Sequence, residues 1–225
     1  MTTLDQVPFG NMEFAENPEP RCPCLLLLDT SESMGGDKIR ELNAGLVEFA
    51  LQLRADAMAS KRVEVAIVTF GPVNVVQPFV TADSFVAPEL RASGNTPIGA
   101  AIVRAADLIA QRKRSYRENG IGYYRPWIFM ISDGEPTDDV RRARDVIEQS
   151  ERAKSFMFYS VGVAGADMRA LGRISVRQPL RLKGLAFNQL FVWLSHSLST
   201  VSRSQVSDTP ALENPAAPSG WAMVD

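Results

Sequence analysis

Hydrophobic residues along this chain follow two patterns, short unbroken runs and longer stripes with helical spacing. The unbroken runs predict strands over Cys24–Asp29, Val63–Phe70 and Trp127–Ser132. A run without polar alternation is typical of a strand that is buried on both faces of a parallel sheet. Between the runs, apolar residues recur every three or four positions, which indicates amphipathic helices. The pattern therefore predicts an α/β fold with a doubly wound sheet and helices on both faces.

Further elements complete this prediction. Val75–Val80 follows Gly71-Pro72 and is expected to pair with the preceding strand as a hairpin, which gives one antiparallel strand in a mostly parallel sheet. Two more strands are predicted at Ser155–Val163 and Leu180–Leu182. Helices are predicted over residues 37–59, from Pro97 onward, around 140–147, over 167–171, and over 187–201. Thr137 is expected as N-cap of the 140–147 helix, with Asp138 and Asp139 at its positive end.

The chain of 225 residues suits one domain with a large core. We expect the domain to span residues 22–204. Residues 1–21 are polar and rich in proline and predict an irregular lead-in. Residues 205–225 are rich in Pro, Ser and Ala and predict an irregular tail that Trp221 could anchor.

The charge balance argues against several classes of partner. A net charge of −2 gives no excess of base for nucleic acid, and no apolar run approaches the roughly 20 residues that span a bilayer. Residues 1–20 carry acids and prolines where a signal peptide would carry base and then an apolar stretch, so a cytoplasmic protein is predicted. One basic group is interpreted as a solvated helix end, and it comprises Arg112, Lys113, Arg114 and Arg117.

Cysteine and histidine offer little chemistry. Cys22 and Cys24 are separated by one proline, too close for a framework disulfide, and no second Cys/His pair exists to complete a metal site. They are interpreted as small residues entering a strand. His196 is the only histidine and lies in a helical pattern, which weakens any Ser-His-Asp or Cys-His proposal.

Polar side chains flank three predicted elements at one end of the sheet. Asp29, Ser31 and Ser33 come after the first strand, Thr96 precedes the Pro97 helix, and Asp133 follows the 127–132 strand. Singly, each could be a helix cap or part of a turn. In open α/β sheets, however, ligands bind outside the carboxyl ends of the strands. Short oxygen side chains gathered there can hold a hard cation.

The order D-x-S-x-S, then T, then D resembles the metal-ion-dependent adhesion site of von Willebrand factor A domains. The segments DTSESMGGDKIRELNAGL, VEVAIVTFG, GNTPIGAAI, YYRPWIFMISDGEPTDD, YSVGVAGADM and FNQLFVWLSHSLSTVSRS are similar to the TerY-like bacterial branch of that family, which is associated with tellurite resistance. Glu32 departs from the family, since many A domains have glycine there.

The resemblance implies a Rossmann-like A-domain fold and a site for Mg²⁺, or Mn²⁺ or Ca²⁺. Ser31, Ser33 and Thr96 would supply hydroxyl oxygens, and Asp29 and Asp133 would hold the ion directly or through water. An Asp or Glu of a partner protein would complete the coordination shell. The resemblance further implies a bacterial stress-response or tellurite-resistance system, with a kinase or phosphatase as a possible partner.

Two other functions stay open. A metal-dependent phosphohydrolase or phosphotransferase would use an aspartate at a strand end as nucleophile. Asp29 is followed by Thr30-Ser31, without the second aspartate that haloacid-dehalogenase-type phosphatases use, so we expect no enzyme. A metal-independent scaffold with a vestigial site is the other alternative, and the presence of all five candidate ligands argues against it.

Overall fold

Seven strands form one sheet in this computed structural model, which describes residues 12–206, 208 and 210–223. The strands are β1 (Cys22–Asp29), β2 (Val63–Phe70), β3 (Asn74–Thr81), β4 (Trp127–Ser132), β5 (Met157–Gly162), β6 (Leu180–Leu182) and β7 (Ala222–Met223). They lie side by side in the order β3-β2-β1-β4-β5-β6-β7. The strands β2, β1, β4, β5 and β6 are parallel to one another. β1 is central and pairs with both β2 and β4.

The predicted fold class is confirmed. β3 is the expected antiparallel hairpin partner of β2, and a second antiparallel pair, β6 with β7, closes the opposite edge. Every residue of β1, β2 and β4 is buried, as their unbroken apolar runs predict.

Helices connect the strands and cover both faces of the sheet. They are α1 (Met12–Glu16), α2 (Asp37–Ala55), α3 (Ala59–Arg62), α4 (Ile98–Glu118), α5 (Arg141–Arg152), α6 (Met168–Ile174) and α7 (Phe187–Arg203). One core cluster joins α2 and α7 to one face, and a second joins α4, α5 and α6 to the other. The single helix predicted over residues 37–59 is interrupted after α2, since Asp56 is extended and its carboxylate accepts from the backbone N–H of Ala59 over 3.0 Å.

The basic group on α4 is not simply a solvated helix end, and that prediction was wrong for Arg112. The Arg112 guanidinium donates to both oxygens of Glu64, each over 2.7 Å, and pairs with Glu13 on α1. Arg21 Nε donates to Glu64 over 2.9 Å, and both side chains are fully buried. Tyr116 also donates to this carboxylate. Sequence reasoning missed these contacts because the partners are far apart along the chain.

The segments outside the predicted domain are also partly ordered onto it. Within the lead-in, residues 1–11 lie outside the described residues, whereas α1 is helical where irregular structure was predicted. Phe14 of α1 packs edge-on against Tyr116 with ring centroids 5.9 Å apart. In the tail, Trp221 is buried against Trp193 and leads into β7, so this described part is not wholly irregular.

No helix in the described part of the chain is long and apolar enough to cross a membrane.

Candidate functional site

The end of β1 places Asp29 at the carboxyl edge of the sheet. The Asp29 side chain is fully buried, and its Oδ1 accepts from the backbone N–H of Ser31 over 2.8 Å. This local hydrogen bond turns the chain out of the strand. A short 3₁₀ helix, Glu32–Met34, follows and buries Met34 in the core. The serines of the D-x-S-x-S motif are therefore held on a loop with an apolar anchor.

A line of hydrogen bonds runs from this loop to the end of β4. The hydroxyl oxygens of Ser31 and Ser33 lie 3.0 Å apart, and Ser33 Oγ donates to Asp133 Oδ1 over 2.7 Å. With the Ser33 proton donated to Asp133, Ser33 Oγ is free to accept from the Ser31 hydroxyl. The lone pairs of these oxygens can still face a cation.

The second oxygen of Asp29 contacts β4. Ser132 Oγ donates to Asp29 Oδ2 over 2.6 Å. Burial raises the pKa of Asp29, hydrogen bonds from Ser132 and Ser31 oppose that rise, and the negative charge of Asp133 adds to it. Two carboxylates in one buried place favour a positive charge between them, because a cation offsets both the burial and the repulsion.

Thr96 is brought to the same place by the loop before α4. Glu32 N donates to Gly94 O over 3.1 Å, and Ser93 N donates to Thr30 O over 2.7 Å, so this loop lies directly against the loop after β1. Gly94 has a φ of +72°, and a Cβ there would lie 2.7 Å from Gly71 O. Only glycine combines that backbone conformation with so close an approach.

A small cradle lies between Asp29, Thr96 and the start of the loop after β4. A Cβ added to Gly134 would lie 3.3 Å from Thr96 Oγ1 and 3.8 Å from Asp29 Oδ2. Glycine thus leaves room where two of the predicted ligands approach each other. All five predicted site residues therefore lie at this one edge of the sheet. Their donor set, two carboxylates and three hydroxyls, fits a hard cation such as Mg²⁺.

The site is buried at its base and open at one side. Asp29, Ser31, Thr96 and Asp133 are buried, whereas Ser33 is exposed. A bound ion would therefore be reached from solvent beside Ser33. Among the described residues, no three His, Cys, Asp or Glu side chains cluster as a metal site. Cation binding here would consequently depend on hydroxyls as well as on carboxylates.

Sequence reasoning missed two residues at the site. Ser132 was assigned only to its strand, although its hydroxyl contacts Asp29. Lys38, in the first turn of α2, pairs with Asp133 and donates to the backbone oxygen of Ser33 over 3.2 Å. The available signal was its place in the segment DTSESMGGDKIRELNAGL, five residues after the last serine of the D-x-S-x-S motif.

Of the two acids expected at the start of the helix after β4, Asp139 lies there, since its Oδ1 accepts from the backbone N–H of Arg141 over 2.9 Å. α5 begins at Arg141, so Thr137 is not its N-cap. The Asp138 carboxylate instead accepts from the backbone N–H groups of Gly99 and Ala100, over 2.9 and 2.8 Å, at the start of α4. Thr137 Oγ1 accepts from the backbone N–H of Thr96 over 3.2 Å. These residues therefore fix the loop that carries Thr96.

The other candidates for chemistry lie elsewhere. Cys22 and Cys24 are buried free thiols at the opposite end of β1 from Asp29. Burial raises the pKa of Cys22 to about 12, with a further contribution from Glu64, and raises that of Cys24 well above its usual value. His196 lies exposed on α7. None of the three belongs to the candidate site.

Comparison with known families now identifies the domain. The family model for the von Willebrand factor type A domain matches residues 25–188, which include all five candidate ligands. The chain belongs to the von Willebrand factor type A domain family. A domains of this family commonly act as protein-interaction modules. The narrower TerY-like resemblance stays a prediction, and no curated protein gives a significant match.

Solved structures show the same A-domain fold. The von Willebrand factor domain of the type V pili tip protein Mfa5 from Porphyromonas gingivalis has a TM-score of 0.63 at 12% identity, with 83% of this chain and 98% of that chain covered. The pilus adhesin SpaC from Lactobacillus rhamnosus GG has a TM-score of 0.65 at 11% identity, with 81% of this chain and 31% of that chain covered. Proximal thread matrix protein 1 from the mussel byssus has a TM-score of 0.56 at 16% identity, with 81% of this chain and 49% of that chain covered. At such identities the likeness concerns the fold alone.

Proposed function

We propose that this A domain is a metal-dependent protein-interaction module, in which a divalent cation at the carboxyl edge of the sheet binds an Asp or Glu of a partner protein. The observation that carries the proposal is the convergence of Asp29, Ser31, Ser33, Thr96 and Asp133 on one partly open site. Mg²⁺ is the expected ion, with Mn²⁺ or Ca²⁺ as alternatives. When bound, the ion supplies a Lewis-acidic coordination position for a carboxylate.

The hydrogen bonds of the two carboxylates support a partner of this chemistry. Both oxygens of Asp29 and both oxygens of Asp133 already accept hydrogen bonds. With these oxygens so engaged, the two carboxylates would hold the ion partly through water, and the neutral serine hydroxyls would supply direct ligands. An ion held in that way keeps more of its positive charge, which an acidic partner then neutralises.

A hydrolytic function is disfavoured by the same geometry. General acid–base catalysis needs a second proton-transferring group within hydrogen-bond reach of the reacting atoms. His196 lies on α7, the hydroxyls around Asp29 are engaged with carboxylates, and the Lys38 ammonium is held in an ion pair with Asp133. We therefore propose that the domain is not an enzyme. Turnover of phosphomonoesters or nucleotides that needs Mg²⁺ or Mn²⁺ and disappears in Asp29→Asn would contradict this.

The decisive experiment is calorimetry with Mg²⁺ and Mn²⁺ on the wild type, on Asp29→Ala and on the control Asp83→Ala. Asp83 lies exposed after β3, near the opposite edge of the sheet. We expect Asp29→Ala to lose metal binding and Asp83→Ala to keep it. Equal metal affinity in all three proteins would show that the ion does not bind at Asp29. Folding should survive in both variants, because Asp29 is the terminal residue of β1, Asp83 is exposed, and the large core stays intact.

A second experiment tests the partner. The tagged domain is used to capture proteins with and without EDTA, and the interfacial acid of a captured partner is then changed to Ala. Chelation and the substitution should each weaken binding, and together cost little more than either alone, because both remove one shared contact. Additive losses would show that the metal does not bridge the complex. On the resemblance to the TerY-like branch, we propose that the partner is a kinase or phosphatase of a cytoplasmic bacterial stress-response or tellurite-resistance system.

A further inference from the structure

Lys38 brings a positive charge into the candidate site. It is the second residue of α2, and its ammonium pairs with Asp133 Oδ2 and donates to Ser33 O over 3.2 Å. The Asp133 side chain is fully buried, and the Lys38 side chain is 25% exposed. The ammonium therefore lies inside the site, while part of its aliphatic chain reaches solvent.

The ammonium and a divalent ion would use the same protein groups. Asp133 accepts from Ser33 with Oδ1 and from Lys38 with Oδ2. Its carboxylate therefore contacts both the predicted metal ligand Ser33 and the ammonium of Lys38. Two like charges a few ångströms apart repel strongly in a partly buried place. A divalent ion that approaches Ser33 and Asp133 consequently meets the Lys38 charge.

We propose that Lys38 is a tethered counter-ion of this site, and that a divalent cation binds only by displacing its ammonium from Asp133. The proposal rests on the proposed metal site and adds a determinant of its affinity. Without the ion, the Lys38 ammonium offsets the repulsion between Asp29 and Asp133. It also holds the loop after β1, through Ser33, against the end of β4, through Asp133. With the ion, the flexible lysine chain turns toward solvent, which its partial exposure permits.

Metal titration calorimetry of Lys38→Met tests this, with Lys61→Met and Lys38→Arg as controls. Lys61 is exposed on α3, so Lys61→Met removes the same charge from the protein at another place. Lys38→Arg keeps a cation beside Asp133. We expect Lys38→Met to bind Mg²⁺ or Mn²⁺ roughly tenfold or more tightly than the wild type, a size typical of coupling between two ligands. The metal affinities of both control variants should stay near that of the wild type.

Urea unfolding of the same proteins gives a readout that does not depend on calorimetry. Without metal, Lys38→Met should unfold at a lower urea concentration than the wild type, because Asp29 and Asp133 then lack a cation. Saturating metal should remove that difference, since it stabilises the variant more. Equal metal affinity in the wild type and Lys38→Met, or the same gain in Lys61→Met, would overturn the role of Lys38 while leaving the metal site intact. Absence of metal binding in every protein would overturn the proposed function itself.

Discussion

Ser132 Oγ donates to Asp29 Oδ2 over 2.6 Å and so joins the ends of the neighbouring strands β1 and β4. The same hydroxyl accepts from Gly134 N over 3.3 Å, which ties the loop after β4 to the contact. A carboxylate held from both sides, by Ser31 N and by Ser132, is fixed in orientation before any ligand arrives. Such preorganisation is the usual role of groups that contact metal ligands.

Ser132→Ala is therefore expected to weaken metal binding by about 10–100-fold, the usual effect of removing a hydrogen bond to a metal ligand. Calorimetry with Mn²⁺ measures the change, and a urea unfolding curve shows whether the fold is kept. Ser84→Ala is the control, because Ser84 is exposed beyond β3. Unchanged affinity in Ser132→Ala would show that Asp29 is oriented without its strand neighbour.

Glu64→Gln should destabilise the protein by about 3–5 kcal/mol, because it leaves a buried cation without its partner. Arg21 is fully buried against Glu64, and Arg112 donates to both carboxylate oxygens. Equilibrium urea unfolding provides the measurement. As a control, Glu89→Gln alters an exposed carboxylate 3.9 Å from Arg91 and should change stability by less than about 0.5 kcal/mol. If Glu64→Gln lowers the free energy of unfolding by no more than the control does, water must reach Arg21 in the variant.

Gly45→Ala should destabilise the contact between α2 and α7. The added Cβ would lie 2.6 Å from Phe191 Cδ2 and 3.2 Å from Phe187 O, so either α7 or the ring must move. Overpacking of this kind costs about 1–3 kcal/mol, which exceeds the gain from alanine in a helix. Gly172→Ala on α6 is the matched control, because nothing lies within 4 Å of its added Cβ, and we expect it to stabilise by about 0.5–1 kcal/mol. Thermal unfolding compares the two, and a stabilised Gly45→Ala would contradict the close packing.

The native thiols should resist alkylation at mildly alkaline pH. The thiolate is the reactive form, and the pKa of Cys22 is raised from 9.0 to about 12 by burial and by Glu64, so little thiolate forms as the pH approaches 9. Iodoacetamide followed by mass spectrometry should show no label on folded protein and two labels after unfolding in guanidinium chloride. Rapid labelling of the folded protein would show that the start of β1 opens to solvent.

Local pattern was sufficient for most of the fold. β2 and β4 have the bounds that their apolar runs predict, because a strand buried on both faces ends where polar or turn residues begin. β6 also has its predicted bounds, although Arg181 interrupts its apolar residues. Four of the five candidate ligands were found because motif residues at the ends of β1 and β4 meet at one edge, and Thr96 was found on the loop before α4. Metal binding at those residues is still a prediction.

The errors concern pairings between distant residues. Arg112 was assigned to solvent because its partner Glu64 lies 48 positions away, and Asp138 was assigned to α5 although it contacts the start of α4. Neither hydrophobic periodicity nor capping preference contains information about such partners. Lys38 was missed for a related reason, since a charged residue in the first turn of a helix is ordinarily exposed.

The two outer strands of the sheet also bear on how copies of this protein meet each other. An exposed strand edge offers free N–H and C=O groups on which another chain can add a strand. At one edge, β3 contains Pro78, which lacks an N–H group. At the other edge, in the part of the chain that the structure describes, β7 pairs with two residues of β6, Arg181 and Leu182. A chain shortened before Trp221 would uncover that side of β6 and the ring of Trp193, and would gain a surface for self-association.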